Sequence, residues 1–193
     1  MGITGPLIRV LGERYSWTVK SAVLDAIYHL LEKVGVILKP FLPQLQPTFM
    51  KNLNDINRVV RIKSGYALSK LIFMNPKMDQ VIVELNNMIK NTDDHEIKET
   101  LLNTLRLCLN SAGTKCSDET KKQIVLTLKS EQYIYSDDDA VRSVSSGALG
   151  SVACFLSDDE LGLLLDDILG NLKLYSEFLI FESHNFIFKF NRF

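Results

Sequence analysis

The sequence predicts an all-α fold, an α-solenoid of stacked helical hairpins with about four repeats and an incomplete fifth. Three observations predict it. First, a short phrase recurs four times: an aliphatic residue followed by Lys or Arg, a small residue six positions past the basic one, and an apolar residue ten past it. It begins at Val19-Lys20, Val60-Arg61, Ile97-Lys98 and Val141-Arg142. Second, the basic residues step by 41, 37 and 44 positions, near the ~40–47 residues of a two-helix solenoid repeat. Third, apolar residues return at intervals of three and four, the period of a helix with one buried face.

Each element follows in turn. Helices are expected over 3–18 and 16–35, the second with Ser16 as N-cap. Val19, Val23, Ala26, Ile27 and Leu30 fall on one stripe of it. A helix over 37–53 carries Pro40, Pro43 and Pro47 while its stripe of Leu42, Leu45, Phe49 and Leu53 continues, so a kinked outer helix is expected. A helix over 57–74 follows, and then one over 76–90 entered through Asn75-Pro76 as N-cap and first helical residue. Asp93, with Glu96 three residues on, opens 94–110 as a capping box. The next helices are expected over 117–130, over 138–155 capped by Asp137 or Asp138, and over 158–171 behind the capping box Ser157…Glu160. The small residues at 26, 67, 104 and 148 would let neighbouring helices approach closely.

A cation in the first turn of a helix is disfavoured by the helix dipole. Its recurrence at Lys20, Arg61, Lys98 and Arg142 therefore implies a repeat-stabilising contact, expected with an acidic side chain of the adjacent repeat.

The segment "LKPFLPQLQPTFMKNLNDINRVVRIKSGYALSKL" resembles a HEAT repeat, a unit of armadillo-like superhelices. It has proline in the first helix, Asp55 at the turn, and Val60-Arg61 opening the second helix before Ala67-Leu68 and Leu71. The wider run from "ITGPLIRVLGERYSW" through "KPFLPQLQPTFMKNL" is similar to the C-terminal HEAT region of the general-control translational activator family. The likeness covers about 2–170 and is strongest over 3–75. It implies a scaffold that binds the RWD domain of the starvation-responsive initiation factor 2 alpha kinase. That scaffold promotes the kinase's activation on ribosomes, in the cytoplasm. Residues 1–174 are expected to form the solenoid fragment. Residues 175–193 are expected to be a divergent tail that is not a repeat, with six phenylalanines in 178–193. A solenoid cut in mid-repeat exposes core at its ends, so the piece is expected to need neighbours for solubility.

Reactive constellations are not visible. His29, His95 and His184 are far apart and match no zinc pattern. Gly147-Ala148-Leu149-Gly150 lacks the Gly-Lys-Ser/Thr ending of a phosphate loop and lies inside a helix pattern, where close packing is the better reading. The acidic runs Asp137-Asp138-Asp139 and Asp158-Asp159-Glu160 stand at helix starts and read as caps. Cys108, Cys116 and Cys154 suit no disulfide framework. No enzyme, cofactor or metal is expected.

Arg9 breaks the N-terminal apolar run, against a secretory leader, and no stretch reaches membrane-spanning length. Net charge is −1, divided as +6 over residues 1–90 and −7 over 91–193. Lys51, Arg58, Arg61 and Lys63 form a candidate partner-binding basic ridge along the inter-helix turns, facing an acidic protein domain or ribosomal RNA phosphates. No aromatics are interleaved with them, against sequence-specific nucleic-acid reading. Two alternatives remain open: another HEAT adaptor in nuclear transport or on microtubules, or the solenoid arm of an elongation-factor-3-like ATPase.

Overall fold

The structure is a computed structural model that describes residues 4–171 apart from residue 13. Every regular element among them is helical. Over 4–155 the helices form four antiparallel hairpins: α1 (Thr4–Val10) with α2 (Trp17–Val34), α3 (Leu42–Asn52) with α4 (Arg58–Ile72), α5 (Met78–Asn91) with α6 (His95–Ala112), and α7 (Asp118–Leu128) with α8 (Asp139–Ala153). The second helices stack in sequence, α2 on α4 on α6 on α8, and the first helices lie behind them as an outer layer. This is the solenoid that the repeat spacing predicts. A separate unit begins at 156 and contains α9 (158–171). The tail over 175–193 lies outside the described residues.

The core runs between the layers as one continuous seam. Leu45, Phe49 and Leu53 from α3 and its end, Val60 and Leu68 from α4, Leu85 from α5 and Leu105 from α6 are all fully buried. Burial of such side chains contributes roughly 1.5–3 kcal/mol each, and each hairpin obtains it only by packing on its neighbours.

Caps set the helix starts. Asn57 Oδ1 accepts from Val59 N at 3.0 Å, Ser117 Oγ from Thr120 N at 3.3 Å, and Asp138 Oδ1 from Ala140 N and Val141 N, both at 2.9 Å. The Ser157…Glu160 box closes reciprocally, with Glu160 N donating to Ser157 Oγ at 3.4 Å and Ser157 N to Glu160 Oε2 at 3.1 Å.

Several expectations need correction. Asp94, not Asp93, caps α6, accepting from Ile97 N at 3.0 Å; this frees Glu96 from a capping box for the contact described below. Ser16 occupies an N-cap position, but its hydroxyl pairs with Thr18 Oγ1 at 2.8 Å instead of capping a backbone N–H. Pro76 does not open α5. Asn75 Oδ1 accepts from Lys77 N at 2.8 Å, and that local turn delays the helix to Met78. The helix expected over 3–18 ends at Val10, where Leu11 N and Gly12 N fold back on Ile8 O and Arg9 O, each at 3.2 Å.

The proline-rich element over 37–53 is two helices. Gly35, at φ 29°, donates its N–H to Leu31 O and ends α2. A 3-10 helix, Gly35–Phe41, then carries Pro40. The α-helix resumes at Leu42 with Pro43 in its first turn, where a missing N–H breaks no bond.

The stripe assigned to α2 is turned. Its buried face is Lys20, Leu24, Ile27 and Leu31, while Val19 is 41% exposed and Ala26 is exposed. Matching residues of later repeats, Val60 with Ala67 and Val141 with Ala148, are buried. A second helix thus has two apolar faces, and among the described residues the one toward the preceding repeat is covered in α2 by the short α1 alone. Close approach occurs not at Gly150, whose added Cβ would meet nothing within 4 Å, but at Gly147, 3.2 Å from Arg106 Cδ, at Gly113 against the Phe155 ring, and at Gly65.

A Cβ on Gly65 would stand 2.4 Å from Thr104 Oγ1. Gly65→Ala is therefore expected to lower stability by roughly 1–2 kcal/mol, overpacking outweighing the gain in helix propensity. Thr104→Ala should relieve the clash, giving a coupling of more than ~0.5 kcal/mol in a double-mutant cycle. Urea unfolding followed by circular dichroism checks it; additive losses would show that the two helices do not meet there.

Candidate interaction surface

The turn between α3 and α4 is organised by Asp55. Its Oδ1 accepts from Asn57 N at 2.9 Å, and its Oδ2 receives Lys20 Nζ at 2.8 Å. Lys20 and Asp55 are 35 residues apart, and both side chains are largely buried. Arg61 repeats the step one hairpin on. Its side chain is 3% exposed, and Nη2 donates to Glu96 Oε2 at 2.9 Å, again 35 residues ahead. Nη1 donates to the carbonyls of Asp55 at 3.0 Å and Ile56 at 3.2 Å, and Nε lies 3.5 Å from Thr100 Oγ1. One guanidinium thus closes its own turn and joins two repeats. The guanidinium fork suits this, since an ammonium has three donors and could not serve four acceptors.

Among the described residues, the other two basic residues show different contacts. Lys98 Nζ stands 5.8 Å from the centroid of the Tyr133 ring, a cation–π contact 35 residues on. Arg142 donates to Ser136 O at 2.5 Å, the same six-residue reach by which Arg61 closes its turn, and pairs with Asp139 of its own helix. The position is kept in geometry while its partner changes in chemistry.

Burial also corrects the basic ridge. Arg61 is inside and does not belong to an exposed edge. Lys63 lies along α4 and pairs with Asp25 of α2, away from the turn. Arg58 stands at the edge with its side chain 56% exposed, holding Glu99 Oε1 at 3.0 Å, and Lys51 is exposed at the end of α3. Between them the structure places a residue that the sequence reading missed: Ile56, 99% exposed at the tip of the turn. Its signal was an aliphatic side chain between Asp55 and Asn57, where a turn ordinarily has no use for one. The α3–α4 turn and its flanks thus expose Lys51, Ile56 and Arg58, an aliphatic residue between two cations in the sequence.

Reactive groups are absent from this surface. Burial pushes the Cys108 thiol up, and burial with a hydrogen bond to Asp79 pushes Cys116 up to about 12. No group of three or more His, Cys, Asp or Glu among the described residues could hold a metal ion. Among them no helix is long and apolar enough to cross a membrane. Asp138 is held below the usual carboxylate range, first by the Val141 N–H and then by His95 and the Ala140 N–H; it is a cap, not an acid catalyst.

Residues 79–180 match the family of stalled ribosome sensor GCN1-like HEAT repeats, just over half of the chain. The chain belongs to the GCN1-like HEAT-repeat family. Curated relatives extend the match toward the N-terminus. Stalled ribosome sensor GCN1 of mouse and of human are each 46% identical over 169 residues, covering 88% of this chain and 6% of theirs. The eIF-2-alpha kinase activator GCN1 of Saccharomyces cerevisiae is 35% identical over 189 residues, 96% of this chain and 7% of its own. The chain thus spans less than a tenth of the length of these relatives. A GCN1-like HEAT region is a non-catalytic scaffold, in keeping with the all-helical stack.

Two measurements probe the surface. Arg61→Ala should destabilise the chain by roughly 2–3 kcal/mol, because two turn carbonyls lose their donor and the seam loses packing. Glu96→Gln should cost less than ~1 kcal/mol, its side chain being 72% exposed; equal losses in chemical denaturation would contradict this division of labour. A thiol-reactive probe should titrate Cys154 alone in the folded chain and all three cysteines in denaturant, since Cys108 and Cys116 are buried.

Proposed function

We propose that this segment is a docking scaffold in translational control, receiving the RWD domain of an initiation factor 2 alpha kinase along the edge formed by Lys51, Ile56 and Arg58. The observation that carries the reading is the likeness, over 96% of the chain, to a protein whose name is eIF-2-alpha kinase activator. The edge supplies suitable chemistry. Ile56 can seat in an apolar notch while Arg58 and Lys51 meet carboxylates around it. An exposed ion pair such as Arg58–Glu99 is worth at most ~1 kcal/mol, so Arg58 can exchange Glu99 for a partner's acid at little cost. The matched stalled ribosome sensors extend the reading to the ribosome, with phosphates of ribosomal RNA as further contacts. The setting is the cytoplasm, where translation takes place.

In this reading the segment transfers no phosphate. It raises the effective concentration of kinase near a ribosome by holding both on one rigid stack. In it residues 1–174 serve as the repeat array.

The test is binding of a purified RWD domain to the folded chain by calorimetry. Ile56→Asp and the pair Lys51→Glu/Arg58→Glu should each weaken binding at least ~10-fold, through a lost hot-spot contact and reversed charge respectively. Full affinity in both variants, or no binding by the unaltered chain, would sink the assignment of this edge.

A further inference from the structure

Lysine recurs at one further point of the repeat, on the opposite edge. Lys39 follows α2, Lys77 follows α4 and Lys115 follows α6, in two steps of 38 residues. All three are exposed and line a single open groove of about 810 Å³. Its floor is apolar, built from Val36, Leu42, Met78 and a Phe73 that is 57% exposed.

The negative ends of the second helices attract cations, which accounts for one of the three. Lys115 Nζ donates to Phe73 O at 3.0 Å and stands 3.9 Å from the Phe73 ring centroid. The ammonium groups of Lys39 and Lys77 have no such engagement among the described residues. One carboxylate lines the groove, that of Asp79, and it is already committed. Burial alone would raise its pKa, but hydrogen bonds from the Ser117 N–H and the side chains of Ser117, Cys116 and Thr120 outweigh burial and hold it below its ordinary value. Asp79 Oδ1 lies 3.1 Å from Ser117 N. The groove thus sets three ammonium groups against one carboxylate, a net positive charge over an apolar floor.

We propose that this groove docks an acidic segment of a partner protein, its apolar residue seated against Phe73 and its carboxylates on Lys39 and Lys77. The charge selects an anion, and the floor selects a peptide over RNA. One face of the Phe73 ring is already covered by Lys115, no other aromatic side chain lines the groove to stack a base, and no arginine lines it to fork onto phosphate. Size follows from the stack. Three helices at ~8–10 Å spacing put the outer lysines roughly 20 Å apart, which needs ~6 extended or ~13 helical residues. The proposal is independent of the kinase reading, which concerns the other edge.

The probe is a fluorescein-labelled peptide of about 15 residues with glutamate and leucine in helical spacing, titrated with the 193-residue chain at low salt and read by fluorescence anisotropy. The peptide should bind, a lysine–leucine peptide should not, and affinity should fall steeply as salt rises. Lys39→Glu/Lys77→Glu should weaken binding at least ~10-fold and Phe73→Ala ~5-fold, while Lys51→Glu/Arg58→Glu should leave it unchanged. Circular dichroism verifies folding, and Lys39→Gln/Lys77→Gln replaces the charge reversal if that variant unfolds. The proposal is overturned by no binding, by equal binding of the lysine–leucine peptide, or by indifference to the lysine substitutions. It is equally overturned if polyuridylate displaces the peptide while Phe73→Ala has no effect, since that identifies a plain anion site.

Discussion

A guanidinium buried in the seam between two helical hairpins has to be satisfied where it lies, and Arg61 shows how this chain meets that demand. Removing the charge from water is unfavourable by several kcal/mol unless paired. The two carbonyls of the α3–α4 turn and the Glu96 carboxylate supply the pairing, from one repeat and the next. The same carbonyls find in the guanidinium a donor that closes the turn. The stack therefore has a polar joint as well as a greasy seam. Apolar contact alone would let hairpins slide along one another; a forked donor fixes their register.

That joint divides the basic residues of the chain by role. Arg58 and Arg61 are three residues apart on one helix, too close for composition to distinguish, yet one is satisfied inside and the other meets solvent. Three residues turn a helix by about 300°, enough to carry a side chain from the seam to the edge. Arg61 is committed to architecture, while Lys51, Ile56 and Arg58 at that turn meet solvent.

The repeat spacing made the stack legible, because most of its basic, small and apolar positions answer to a neighbouring helix: Lys20 and Arg61 to acids 35 residues on, Ala67 and Ala148 by full burial. Caps with a single good candidate, such as Asp138 and Ser157, were legible too. Where two acids adjoin, as at Asp93 and Asp94, the choice depends on how the preceding turn closes, which no local pattern states. The turned face of α2 was hidden for another reason. Val19 and Val60 hold the same place in the repeat, but burial belongs to a position in the stack, and among the described residues α2 meets only a short helix on one side. Ile56 was missed because an exposed aliphatic in a turn contradicts no helical pattern; its meaning emerges only when Arg58 and Lys51 are seen beside it. The lysines at 39, 77 and 115 kept a stricter period than the signature that revealed the fold, yet they fall in the connections, where a search for helical stripes does not look.

The two edges lie at opposite ends of the second helices, and this placement has a physical consequence. A helix as long as α4, with 15 residues, separates its ends by ~22 Å, well beyond the Debye length of ~8 Å at physiological ionic strength. Charge placed on one edge is therefore screened from the other, and a domain seated on the α3–α4 turn leaves the lysine groove open. Nor do the edges compete for the same cations: Arg61 is closed inside, and Lys115 is engaged by Phe73. A scaffold gains most from two sites when each binds its partner without weakening the other, because the second encounter then occurs at the effective concentration set by the first. Rigid stacking secures that condition here, through buried joints that keep both edges in a fixed relation.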